Sequence, residues 1–197
     1  IISGDDAKNL LLSGLTKSSD LVGSTYGFRG KNVLKESDFG QAESTKDGFN
    51  TLDLFYLENP VENLAVEVAK QASKKTVDFS GDATSSTIIL LKSFFENSIK
   101  AMKQGKSQID IKQQIEKSRD LILAHLDRIS IPITDKLIYD VALTSANGDV
   151  EIADLVSKAY IKAGADGSVS HTRSNTDESD LDFIEGVLVE SAYSDER

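Results

Sequence analysis

Apolar residues recur at every third or fourth place over most of the chain, the spacing that lines one face of a helix. Ala7, Leu11, Leu15 and Val22 predict a first helix from Ala7 to Val22, with Asp5 as its cap. Val61, Leu64, Ala65, Val68, Ala69 and Ala72 predict a second, opened by Pro60, whose missing N–H does no harm in a first turn. Ile88, Leu91, Phe95, Ile99 and Met102 predict a third from about Thr84 to Met102, with Gly105 placed to end it. The first half of that helix is apolar on nearly every side, the pattern of a central element and a rigid mount for whatever sits at its start. Ile111, Ile115, Ile122, Leu126 and Ile129 mark a fourth from about Asp110 to Ile129, closed by Pro132. Two shorter helical patterns, Tyr139 to Leu143 and Glu151 to Lys162, flank the turn signal Asn147-Gly148, and Gly164 ends the second. Extended patterns are few: Asn32 to Leu34, Ser168 to Thr172 and Phe183 to Val189. The expected fold class is mainly α with minor β.

Charge narrows the partners. The 197 residues carry 22 Lys plus Arg against 32 Asp plus Glu, a net charge of -10, and the one local basic excess, Arg29, Lys31 and Lys35, is broken by Glu36 and Asp38. Such a chain repels a phosphate backbone, so no nucleic-acid partner is expected. Cysteine is absent, which removes thiolate metal sites and thiol nucleophiles and leaves oxygen and nitrogen chemistry. The longest apolar stretch, Ile88 to Leu91, is cut by Lys92 and falls far short of the roughly 20 residues a membrane span needs, so no membrane partner is expected. The N-terminus shows no secretory or transit pattern, and the expected location is cytoplasmic. From residue 171 onward Asp177, Glu178, Asp180, Asp182, Glu185, Glu190, Asp195 and Glu196 stand against Arg173 and Arg197, a solvated acidic surface. The chain stops soon after Phe183-Ile184 with no closing helix, which reads as the front part of a longer protein.

Three stretches carry candidate chemistry, each with a bland alternative. Gly81-Asp82-Ala83-Thr84-Ser85-Ser86-Thr87 opens the central helix, where unpaired N–H groups and the helix dipole favour an anion. Four hydroxyls in succession add donors for phosphate oxygens, and a carboxylate just ahead suits a hard cation. The plain alternative makes Asp82 an N-cap. In Thr25-Tyr26-Gly27-Phe28-Arg29-Gly30, glycines let backbone approach a ligand, and they serve a tight turn equally well. Thr45-Lys46-Asp47-Gly48 places a cation beside a carboxylate able to orient or deprotonate water, or is simply a hairpin turn. His125 and His171 lack companions at metal-ligand spacing.

Taken in order, these stretches resemble the chaperonins, the ring-forming ATP-dependent folding machines. The family's phosphate loop Thr-Leu-Gly-Pro-Lys-Gly-Arg-Asn-Val is matched by Thr25-Tyr26-Gly27-Phe28-Arg29-Gly30-Lys31-Asn32-Val33, and Phe39-Gly40 and Thr45-Lys46-Asp47-Gly48 follow at the family's distances. Gly81-Asp82-Ala83-Thr84-Ser85-Ser86 stands for Gly-Asp-Gly-Thr-Thr-Thr, Ser145-Ala146-Asn147-Gly148-Asp149 for Ser-Ala-Asn-Ser-Asp, Gly164-Ala165-Asp166-Gly167 for Gly-Lys-Glu-Gly, and Glu185-Gly186 for the Glu-Gly hinge. The resemblance runs from about Asp6 to the end and is nearest the bacterial and organellar group.

The resemblance implies that residues 1–131 form the N-terminal part of an equatorial ATP-binding domain, 132–186 the N-terminal part of an intermediate domain, and 187–197 the start of an apical domain, with hinges near Pro132 and Gly186. Thr25, Tyr26, Gly27 and Phe28 would line the phosphates with their backbone, Lys46 would sit nearby, and Asp82 would coordinate Mg2+. Ala83, Thr84, Ser85 and Ser86 would cradle the phosphates of ATP, and Asp47 would help place the hydrolytic water. The implied partners are further copies of the chain in a homo-oligomeric ring, unfolded client polypeptides and a co-chaperonin lid. Two departures bear on activity: Ala83 stands where the family has glycine, and Phe28 where it has proline. The competing expectation is a non-catalytic helical scaffold that kept the shape while these two residues spoiled the pocket.

Overall fold

The computed structural model describes residues 1–27, 29–36, 40–172, 174 and 179–186, the side chain of Phe49 apart. Packing divides the chain into two compact units, 1–123 and 124–197, with the division inside a helix.

In the first unit, α1 (Gly4–Gly23), α3 (Pro60–Ser80) and α4 (Thr84–Lys103) pack on one another. The core is Leu15 and Val22 of α1, Ala65, Val66 and Ala69 of α3, Ile88 of α4, and Leu52 of the short α2 (Gly48–Asp53). The helix signals named in the sequence all appear, with local shifts at the ends. α1 begins behind Ser3 rather than Asp5, and Asp5 instead pairs with Lys8 at 3.0 Å. α3 is capped by Asn59, whose Oδ1 accepts from the N–H groups of Val61 and Glu62, with Pro60 in the first turn. α1 and α3 meet through small residues: a Cβ on Gly14 would run into the Glu62 carbonyl oxygen, and Ser18 and Ser73 are fully buried. Lys17 Nζ closes this contact by donating to Glu62 Oε2 at 2.6 Å, and that hydrogen bond is the main reason the Glu62 carboxyl titrates below its ordinary value.

Between α1 and α2 the chain makes an antiparallel hairpin, β1 (Val33–Glu36) with β2 (Ala42–Thr45), in the register Val33↔Thr45 to Glu36↔Ala42. Lys35 and Glu43 pair across it at 3.4 Å. The hairpin turn therefore lies between Glu36 and Ala42, and Asp47-Gly48 is not a hairpin turn: Asp47 Oδ2 accepts from the Asn50 N–H at 3.0 Å and opens α2.

α4 is less enclosed than its pattern suggested. Ile88 is fully buried, yet Leu90 and Phe94 are about half exposed. The fourth stripe forms α5 (Gln108–Ile129), none of whose residues is buried. Periodicity identifies an apolar face but not the surface that covers it.

In the second unit, α6 (Asp135–Ser145) and α7 (Val150–Ala163) form a helical hairpin. Asn147 and Gly148 both take positive φ, 54° and 88°, as the turn signal required. Thr134 caps α6 and Asp149 caps α7. The strands expected at 168–172 and 183–189 are not found: 168–172 and 183–186 are irregular, and 187–189 lie outside the described residues. An extended pattern needs a neighbouring strand to pair with, and none is present there among the described residues. Phe183 instead lies under the Lys162 ammonium, 3.5 Å from the ring centre.

Candidate functional site

The three stretches singled out in the sequence face one cavity of about 390 Å³ in the first unit. Thr25, Tyr26 and Gly27 come from the loop after α1, Lys46, Asp47 and Gly48 from the start of α2, and Ser80, Asp82, Ala83, Thr84, Ser85 and Ser86 from the junction of α3 and α4. Of the site residues named from sequence, only Phe28 lies outside the described residues.

Local physics puts each stretch there. The loop after α1 is folded back by Lys31 N–H donating to Ser24 O at 2.8 Å and by buried Thr25, whose Oγ1 donates to Val22 O at 2.8 Å. Gly27 has φ 74°, and a Cβ on Gly30 would collide with the Thr25 carbonyl, so the tight-turn reading of these glycines holds while the same loop lines the cavity.

At the junction, α3 ends on Gly81 at φ 75° and α4 begins behind Ala83 at φ 72° and ψ 20°. Asp82 does not cap α4. Its Oδ1 accepts from the adjacent Ala83 N–H at 2.6 Å, and the capping position belongs to Ala83, whose methyl cannot accept a hydrogen bond. The first intrahelical bond is Thr87 N–H to Ala83 O at 3.0 Å, so the start of a 20-residue helix faces the cavity without a side-chain cap.

The hydroxyl run divides. Thr84 is 5% exposed, lines the cavity, and its Oγ1 has no hydrogen-bond partner among the described residues. Ser86 Oγ lies 3.1 Å from the Tyr26 hydroxyl. Thr87, expected with the others, turns away: its Oγ1 donates to Ala83 O and lies 3.0 Å from Thr76 Oγ1, tying α4 to α3.

Two lining residues escaped the sequence reading. Gly48 is buried, and a Cβ there would overlap Ser85 Oγ, so any other residue would force the Ser85 hydroxyl to turn from its place on the cavity wall. The Asp-Gly pair was the available signal, although it read more readily as a hairpin. Ser80 Oγ donates to Thr76 O and Asp82 O, holding the junction, and nothing in the sequence marked it.

The cavity thus offers the amino end of a helix, several hydroxyls, the Lys46 ammonium with no carboxylate in salt-bridge reach among the described residues, and two carboxylates. Residues 19–197 match the TCP-1/cpn60 chaperonin family. The chain belongs to that family. It is 32% identical over 195 residues to the chaperonin GroEL of Holospora obtusa, covering 98% of this chain and 35% of that protein. Two crystal forms of the chaperonin gp146 from the bacteriophage EL 2 (Pseudomonas aeruginosa), obtained in the presence of ATP-BeFx, match with a TM-score of 0.69 at 26% identity, covering 82% of this chain and 28% and 29% of theirs. The chain therefore spans about a third of the length of these chaperonins. The GroEL-like resemblance and the mainly α equatorial-type fold stand. No helix among the described residues is long and apolar enough to cross a membrane.

Proposed function

We propose that this chain supplies the phosphate-gripping part of a chaperonin subunit that binds and hydrolyses ATP to drive protein folding in a ring of like subunits. In this reading residues 1–131 belong to the equatorial domain, 132–186 to the intermediate domain, and 187–197 begin the apical domain; unfolded polypeptides are the clients, and a lid partner acts with the ring. The observation that carries it is the convergence of three distant stretches on one cavity at the uncapped start of α4, where the Thr84 hydroxyl, on an otherwise buried residue, opens on the cavity without a partner among the described residues.

A polyphosphate in this cavity would accept hydrogen bonds from the first-turn N–H groups of α4 and from Thr84 and Ser85. Lys46 would neutralise part of its charge, and the backbone of Thr25, Tyr26 and Gly27 would close the other side. The donor set fits a magnesium ion that arrives with its nucleotide: such an ion takes one or two carboxylates and completes its shell with phosphate oxygens and water. Asp82 is the carboxylate that would hold it, and the ion would supply charge neutralisation on the phosphates. Asp47, oriented by the Asn50 N–H, would accept a proton from the attacking water.

Calorimetric titration of the intact protein with Mg-ATP tests the reading. Thr84→Ala should weaken binding about tenfold, the usual loss for a hydrogen bond to a charged group, with melting temperature nearly unchanged. A purely structural hydroxyl would instead leave affinity intact. Absence of nucleotide binding by the wild-type protein at millimolar concentration would overturn the ATPase reading in favour of the scaffold.

A further inference from the structure

The Tyr26 side chain is not explained by a loop that lines phosphates with its backbone alone, since any side chain would serve there. Tyr26 is 53% exposed, lines the cavity, and carries its hydroxyl 3.1 Å from Ser86 Oγ, a contact that joins the loop after α1 to the first turn of α4. Its backbone is anchored on both sides, by Tyr26 N–H to Gly23 O at 3.2 Å and by the Lys31 to Ser24 bond, so the phenol reaches the cavity from a fixed base. The family loop quoted above carries leucine at this position, which has no donor to offer.

We propose that the Tyr26 hydroxyl is itself a phosphate ligand, a further binding group in this chain's anion site. Two hydroxyls held 3.1 Å apart at the start of a helix converge on the same space. In the free protein they satisfy each other. When a phosphoryl group enters, the bond between the two hydroxyls, whichever of them donates it, gives way, and each O–H donates to a phosphate oxygen. The Thr84 hydroxyl, on a residue only 5% exposed and without a partner among the described residues, opens on the same cavity and marks the place that the anion would fill. This inference rests on the proposed nucleotide reading and adds to it a side-chain contact from the loop.

Tyr26→Phe keeps the ring and removes only the donor. With the intact protein and calorimetric titration, we expect Tyr26→Phe to bind Mg-ATP about five- to tenfold more weakly than wild type, the loss of one hydrogen bond to a charged acceptor offset by the Ser86 contact given up. Inorganic tripolyphosphate with magnesium should show the same fold-loss, because the contact is to phosphate. The chain has five tyrosines and no tryptophan, so nucleotide should also perturb tyrosine emission, by a component absent in Tyr26→Phe. If wild type binds and Tyr26→Phe binds within about twofold of it, the Tyr26 inference fails and the nucleotide reading stands. A loss confined to ATP and not seen with tripolyphosphate likewise overturns the phosphate contact. If wild type binds neither probe, both proposals fall.

Discussion

Ala83→Gly isolates the conformation on which the start of α4 depends. Ala83 has φ 72° and ψ 20°, a left-handed backbone that crowds a Cβ against the following carbonyl at a cost of about 1–2 kcal/mol. Glycine removes that cost but gives up about 0.5–1 kcal/mol of conformational entropy in the unfolded chain. The difference is a stabilisation of about 0.5–1 kcal/mol, which for a chain of this size raises the melting temperature by about 1–4 °C. Ala101→Gly is the matched control. Ala101 lies in the last turn of the same helix and is partly buried, so glycine there relieves no left-handed strain and the variant should lose at least about 0.5–1 kcal/mol. Thermal unfolding followed by circular dichroism reads both. The reasoning is refuted if Ala83→Gly lowers stability as Ala101→Gly does, because the left-handed backbone would then carry no penalty to relieve. Removing the methyl also widens the approach to the Ala83 and Thr84 N–H groups, so affinity for Mg-ATP should rise or stay constant.

Two further outcomes follow from the packing and the charges. Gly48→Ala places a methyl on Ser85 Oγ, so the Ser85 hydroxyl must turn aside and the methyl packs tightly on Ser85 Cβ, which should cost about 1 kcal/mol, the low end of overpacking; an unchanged melting temperature would show that the approach is not tight. Glu96 receives hydrogen bonds from Lys100 and Lys92 that hold its carboxyl at about 2 instead of 4.5. A depressed carboxyl stabilises the fold fully above pH 4.5 and loses that contribution as pH falls toward about 2, so Glu96→Gln should flatten the melting curve against pH in that window, and identical curves would refute the coupling.

Much of the helical framework was legible because its signals are local. Asn59-Pro60, Asn147-Gly148 and the stripes of α1, α3 and α4 each act within one or two turns of chain. The candidate stretches were legible for a related reason: a helix start, two glycine loops and a run of hydroxyls can be picked out by residue type alone, and the structure brings them to one cavity. What failed was whatever depends on a partner in space. Asp47-Gly48 has the composition of a hairpin turn, yet it caps α2, because the strand pairing is already completed by Val33–Glu36 against Ala42–Thr45. Ser168 to Thr172 has strand composition but no strand beside it among the described residues. Thr87 sits in the hydroxyl run, and the neighbouring Thr76 on α3 draws it out of the site.

The departure at Ala83 changes meaning once its backbone is known. From sequence, alanine for glycine set two expectations against each other, a working phosphate cradle and a spoiled one. In the structure the alanine takes a left-handed backbone, Thr84 and Ser85 line the cavity, and the Asp82 carboxylate holds the Ala83 N–H. A chain that had abandoned the cradle had an easier course open to it, since an ordinary extended cap residue at this position would remove a cost of about 1–2 kcal/mol. Adopting a left-handed alanine against that cost supports a junction shaped for a ligand over one shaped for stability alone. The two readings then separate on a single comparison. If the strain serves binding, substitutions that hold the left-handed turn, glycine above all, keep the affinity for Mg-ATP, and Ala83→Val, whose branched Cβ disfavours it, loses affinity along with stability.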